Sequence, residues 1–199
     1  MAGLPLNLLI PRAVTRHRHN SHRVPSCDGG PGEVYGRRKE PKIPLGHHPA
    51  LDVARKVGGL EYTRMVMRGE VPPAPVCELV GFRFVLVEAG KIGIEFDPEE
   101  YHYNVIGSVH GGITCTLLDS AMSIAVHTAL PADCGFATLQ LNTHFVRPIT
   151  VRTGVMRCEG KVTHSGARIA TAEGRLVDTN GKLYAHGTAM CMTFPLGAG

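Results

Sequence analysis

The stretch NVIGSVHGGITCTLLDSAMSIAVHTAL, Asn104–Leu130, decides the fold. From Ile113 onward it is rich in Leu, Ile, Ala, Val and Met and holds no internal Gly or Pro, which predicts a helix. Ile113, Leu117, Leu118, Ala121, Met122, Ile124 and Ala125 put apolar side chains on nearly every side, and a helix apolar all round is a buried one. Asp119 is its only acid, and it has no Lys or Arg. A buried carboxylate without a cation on its own helix is costly unless other groups satisfy it. Asp119 is therefore a candidate for acid–base chemistry. The competing reading is a structural Asp held by Ser or Thr hydroxyls.

Asn104, Gly107, His110, Gly111 and Gly112 precede the helix with the spacing N-x-x-G-x-x-H-G-G. Glycines there let backbone approach a ligand. The first N–H groups of a helix lack intrahelical acceptors and carry the positive end of its dipole, so they can polarise a carbonyl and stabilise an oxyanion. Alone, the pair of glycines equally suits a tight loop into the core. Asp119 lies seven residues after Gly112, nearly two turns on. A carboxylate that far along cannot serve an oxyanion held by its own helix end, so the spacing points to a site shared between subunits.

On either side of this segment the chain reads as follows. Residues 50–69 are helical despite Gly58 and Gly59, and VPPAP at 71–75 ends that helix. LVGFRFVLVEA (79–89) and KIGIEFDP (91–98) read as strands joined by a hairpin at Ala89-Gly90. After a loop at 99–109 and the long helix, four strands are expected near 136–147, 153–163, 168–178 and 183–194, the last two joined by a turn at Asn180-Gly181. Two strands, one helix and four strands make an α+β domain with an antiparallel sheet on one long helix. On β-strand parity, His144 shares a face with Thr138.

Domain organisation follows from composition. Residues 1–49 read as a flexible basic tail and 50–199 as the folded domain. The net charge of +4 sits in the tail, with eight basic against three acidic residues in 1–49 and thirteen against fourteen in 50–199. The domain is nearly neutral, so no nucleic-acid partner is expected. No apolar run is long enough to span a bilayer, so no membrane partner is expected either. The tail reads as a disordered extension, with a targeting presequence as the alternative, and the chain as cytoplasmic. The six cysteines include no C-x-x-C pair and read as reduced thiols. His17, His19, His22, His47 and His48 lack Cys or acid neighbours in ligand spacing, so no metal site is expected.

The N-x-x-G-x-x-HGG run, the Asp in LLDSAM, FATLQLNTHFVRPI and HSGARIATAEGRLVDTNGKLYAHGTAM together resemble the PaaI-like hotdog-fold thioesterases over about residues 60–195. The resemblance implies an antiparallel sheet wrapped around the helix and subunits paired into dimers and commonly tetramers. It also implies hydrolysis of acyl-CoA without a metal or other cofactor, coenzyme A being part of the substrate. By position, Asp119 matches the catalytic carboxylate, as general base or nucleophile. Gly111 matches the N–H that polarises the thioester carbonyl, and Asn104 a side-chain partner to it. His110 holds the loop or assists at the thioester, and Thr138 matches a hydroxyl that positions water. Coenzyme A falls on Phe145 to Pro148 and on His164, Ser165, Gly166, Ala167, Arg168 and Ile169. Arg147 and Arg168 suit its phosphates, and both also read as solvated surface arginines. The rival readings are a non-catalytic acyl-CoA-binding protein on the same fold and a hotdog dehydratase, which calls for a His–acid pair.

Overall fold

The computed structural model describes residues 50–196, so the tail reading for 1–49 and its boundary fall outside the described residues. The elements are α1 (Ala50–Met67), α2 (Pro75–Val80), β1 (Phe82–Glu88), β2 (Lys91–Phe96), α3 (Gly111–Thr128), β3 (Cys134–Phe145), β4 (Met156–Ser165), β5 (Ile169–Asp178) and β6 (Leu183–Pro195). The strands form one antiparallel sheet in the order β1-β2-β4-β5-β6-β3. Helix α3 touches all six strands. This is the α+β arrangement that the sequence pattern predicts.

Two tight hairpins set the register. Glu88 pairs with Lys91 across Ala89-Gly90, and Gly90 takes φ 71°, a left-handed conformation that glycine adopts without a Cβ clash. In the β5–β6 turn, Gly181 has φ 77°, and the Asp178 carboxylate accepts from the Asn180 and Lys182 N–H groups at 2.9 and 3.0 Å.

The core lies between α3 and the inner face of the sheet. Leu117, Leu118, Ala121, Met122 and Ala125 of α3 are fully buried, against Ile92, Ile94, Phe96, Met156, Cys158, Leu176 and Cys191. Each large side chain here contributes about 1.5–3 kcal/mol by leaving water. The close approach of helix to sheet rests on missing side chains. Gly160 pairs with Gly174, and Gly174 with Gly187, so three glycines lie in register across β4, β5 and β6. A Cβ on Gly160 would stand 2.2 Å from the Ala121 carbonyl oxygen, and one on Gly174 2.9 Å from Met122 Cγ.

Helix α1 uses its glycines in the same way. Gly58 (φ 77°, ψ 163°) kinks it, and a Cβ on Gly59 would lie 1.9 Å from the His127 carbonyl oxygen. Glycine lets α1 rest directly on the end of α3.

Three expectations are corrected. Leu79 and Val80 end helix α2 instead of starting a strand; Pro75 opens that helix and Gly81 (φ 81°) closes it. Helix α3 is not buried all round, because Cys115, Thr116, Asp119 and Ser120 form a half-exposed flank. His144 does not share the face of Thr138. Thr138 pairs with Cys191 and Gln140 with Met190, so two residues of β3 oppose one of β6. That bulge at Leu139 turns the rest of the strand over, and His144 stacks on His186 at 4.9 Å on the outer face.

Gly160→Ala tests the glycine contact. The methyl group meets main chain, which cannot rotate away, so the variant should lose about 3 kcal/mol or more. Urea unfolding measures the loss, and an unchanged midpoint would show that α3 does not press on β4 there.

Candidate active site

The site is built at the start of α3 and half-way along it. At its start, His110 is the N-cap and its Nδ1 accepts from the Gly112 N–H at 2.9 Å. Nε2 therefore carries the proton when the ring is neutral. The His110 N–H donates to the His102 carbonyl at 2.8 Å, and the His102 ring bridges the Glu99 N–H and the Val80 carbonyl. Burial lowers the pKa of His102, in keeping with a neutral ring in that bridge. The loop is thus fixed from outside, and the N–H of Gly111, the first helical residue, is left without an intrahelical acceptor.

The Asn104 side chain is mostly spent on its own turn. Oδ1 accepts from the N–H groups of Ile106 and Ser108 at 3.0 and 3.3 Å, and Nδ2 donates to Ser108 Oγ at 3.2 Å. One amide hydrogen remains for a ligand. Asn104, Gly111, Arg147 and Pro148 line one cavity of about 320 Å³ together with Tyr184, a residue that sequence reasoning missed. Arg147 also donates to the Leu183 carbonyl.

Two turns along α3, the Thr138 hydroxyl donates to Asp119 Oδ1 at 2.8 Å. Cys191 Sγ lies 3.9 Å from Thr138 Oγ1. With the hydroxyl hydrogen on Asp119, the thiol is the donor, giving the relay Cys191–Thr138–Asp119. Burial pushes the Cys191 thiol pKa up, with nearby Asp119 adding and the Thr138 contact opposing. The thiol therefore acts as a hydrogen-bond donor in a packed core rather than as a nucleophile. Asp119 is half-buried, not enclosed as the all-round apolar helix implies. It borders two spaces: an open groove of about 360 Å³ with Cys115, Thr116 and Thr138, and an apolar cavity of about 450 Å³ with Ser123, His127 and Phe136.

The predicted residues therefore form two groups. Asn104, Gly111, Arg147 and Pro148 share one cavity, and Asp119 and Thr138 share another. Gly111 and Asp119 are about 12 Å apart along the helix at 1.5 Å per residue. The hairpin tip carrying His164 to Ile169 lies in register with Ala137 and Thr138, through Met192 and Cys191. Arg168 is exposed there, roughly 25 Å along β3 from the Arg147 end. One chain does not bring the two arginines together. Among the described residues no three His, Cys, Asp or Glu side chains converge as metal ligands, and no helix is long and apolar enough to cross a membrane.

Comparison with known proteins bears on this arrangement. Residues 106–185 match the thioesterase superfamily model. Acyl-coenzyme A thioesterase 13 of Mus musculus is 30% identical over 98 residues, which are 49% of this chain and 69% of that protein. The chain belongs to the thioesterase superfamily. A protein of Halobacterium salinarum named as an esterase is 38% identical over 69 residues, and the match spans 34% of this chain but only 44% of that protein. Among solved structures, a phenylacetic acid degradation-related protein from Ralstonia eutropha JMP134 is 29% identical with a TM-score of 0.61, covering 66% of this chain and 98% of that one. The sheet and central helix of this superfamily member are the hotdog arrangement.

His127 gives the site a measurable pH signature. It is buried, and with no ion pair or hydrogen bond to offset burial its pKa is pushed down to about 4. An unfolded His titrates near 6.5. Between those values the unfolded chain binds a proton that the folded chain does not, so stability should fall as pH drops from about 6.5 to about 4. The full loss is on the order of 3 kcal/mol. Denaturation midpoints across this range should show the fall, and His127→Phe should reduce it, leaving the part that the buried His102 contributes.

Proposed function

We propose that this protein is an acyl-CoA thioesterase that hydrolyses its substrate to free acid and coenzyme A at sites shared between two copies. The observation that carries this reading is the separation of Gly111 and Asp119 into different cavities at opposite ends of an edge strand. Strand β3 ends the sheet, and no described residue pairs with its outer edge. A long unpaired edge is a template for another chain. Antiparallel pairing of two β3 edges carries the Thr138 end of one copy towards the Phe145 end of the other. Phe145 lies against Gly111, since a Cβ there would be 3.4 Å from its ring. The same pairing carries Arg147 of one copy towards Arg168 of the other, where both can meet the phosphates of one coenzyme A.

In this site the thioester oxygen accepts from the Gly111 N–H and the remaining Asn104 amide hydrogen of one copy. Asp119 of the other faces the carbonyl carbon. As general base it takes a proton from water as the water oxygen bonds to that carbon. The C–S bond then breaks and the proton passes to the departing thiolate. As nucleophile it attacks the carbon itself, and the C–S bond breaks to expel the coenzyme A thiolate. Water then cleaves the resulting anhydride to the free acid and the restored carboxylate, a proton of that water passing to the thiolate. Thr138 orients the carboxylate in both routes, which need no metal or other cofactor. A dehydratase site pairs its acid with an imidazole, whereas the partner of Asp119 is a hydroxyl.

Asp119→Asn keeps the size of the side chain and removes its basicity, so kcat should fall at least ~100-fold with the fold intact. Near-normal turnover would refute the mechanism, and an unfolded variant would favour the structural reading of Asp119. Assembly is checked independently by light scattering, which should show a dimer or tetramer at assay concentration. An active monomer is incompatible with a shared site. Arg147→Ala and Arg168→Ala should each raise KM for acyl-CoA with little change in kcat. Both defects should shrink on acyl-N-acetylcysteamine, which has no phosphate; equal losses on the two substrates would remove these residues from coenzyme A binding.

A further inference from the structure

The apolar cavity beside Asp119 contains polar groups that hydrolysis as described leaves unused. Its wall is mostly apolar and includes the aromatic side chains of Tyr62 of α1, Phe82 and Phe84 of β1, and Phe136 of β3. Helix α3 contributes Asp119, Ser123 and His127 to the same wall. Their spacing of four residues puts them on one stripe of the helix, with Ser123 about 6 Å and His127 about 12 Å beyond Asp119. Ser123 is 5% exposed and His127 7% exposed. The His127 ring lies between those of Tyr62 and Phe136, at 5.9 and 5.2 Å. Neither the Ser123 hydroxyl nor the His127 ring nitrogens have a hydrogen-bond partner among the described residues, and neither is sealed into packed core. Both open into the cavity.

A ligand that displaces water from these groups without pairing them leaves buried polar groups unsatisfied, which is disfavoured, so the stripe favours a complementary ligand. Resting on the proposed thioesterase reading, the acyl group extends from the carbonyl at Asp119 into this cavity, while coenzyme A leaves by the open groove. We propose that Ser123 and His127 are specificity-determining residues that select acyl groups bearing a hydroxyl or keto oxygen about 6–12 Å from the thioester carbon. A plain hydrocarbon chain would cover both groups without pairing them, and a site built to hydrogen-bond a substrate rejects the analogue that lacks the partner. The oxygen is uncharged in this class, because among the described residues no Lys or Arg lines the cavity and burial keeps His127 neutral at neutral pH. A terminal carboxylate would have no counter-ion there.

Two matched pairs test this on the full chain: octanoyl-CoA against 8-hydroxyoctanoyl-CoA, and 3-phenylpropanoyl-CoA against its 4-hydroxyphenyl analogue. The wild-type protein should favour the hydroxylated member of at least one pair about 10-fold or more in kcat/KM. Ser123→Ala combined with His127→Phe should bring that ratio near one, by a larger loss of kcat/KM on the hydroxylated thioester than on the plain one. Ser123→Ala alone, the mildest change, should reduce the ratio and carries the test if the double variant does not fold. Binding of the four free acids by calorimetry supplies a readout independent of turnover. Hydrolysis of the thioesters without preference would overturn the specificity proposal and leave the thioesterase reading standing. No hydrolysis, but selective binding of a hydroxy acid that the variants lose, would do the reverse. A preference that survives both substitutions would also overturn the proposal, and absence of both hydrolysis and selective binding would overturn both.

Discussion

The structure depends on the contact between α3 and the two glycines beneath it, Gly160 and Gly174. At Gly160 nothing but hydrogen separates strand from helix, because a Cβ would meet the Ala121 carbonyl at 2.2 Å. Such closeness fixes both the depth and the rotation of the helix, since a small turn of α3 would drive Leu118 or Met122 into Gly174. Interiors packed at crystal-like density do not absorb such shifts. With Ala121 and Met122 held against the sheet, the flank of Cys115, Thr116 and Asp119 has one direction left, towards β3 and its free edge. The position of the carboxylate is therefore a consequence of core packing several residues away.

The bulge at Leu139 performs the matching step on the strand side. Before it, β3 points Thr138 inward at Asp119. After it, Leu141 and Phe145 point inward while Asn142 and His144 face out. Had the strand continued with an even period of two, His144 would face the cleft and Phe145 would leave Gly111. One inserted residue lets the same strand present a hydroxyl to the carboxylate at one end and an aromatic ring to the helix N-terminus at the other.

These two devices also explain how much the sequence reveals. Helix α3, both tight hairpins and the six-strand count follow from periodicity and from Gly90 and Asn180-Gly181, because those signals are local. Strand β1 is overextended by the same logic, since the apolar run at 79–80 suits strand and helix alike and only Pro75 and Gly81 bracket it as helix α2. The bulge has no local mark in TLQLNTHF, so parity carried past it places His144 on the wrong face. The helix row from Asp119 through Ser123 to His127 is visible as four-residue spacing, but its meaning depends on which neighbours leave it unpaired. The same holds for Asn104, whose commitment to Ile106 and Ser108 is a property of loop geometry.

Asp119 sits where two environments of opposite character meet. The groove on one side is the more open and the more polar of the two. The cavity on the other is mostly apolar and is bordered by α1, whose docking requires Gly59 to lie against the His127 carbonyl. A carboxylate wholly in the cavity would bear a heavy desolvation cost, and one wholly in the groove would not reach the apolar wall. Placed at the boundary, it faces the open groove on one side while its helix carries Ser123 and His127 along the apolar side. The rotation of α3 that aims the carboxylate thus also aims the stripe beyond it, so Asp119, Ser123 and His127 are all positioned by the same packing contact.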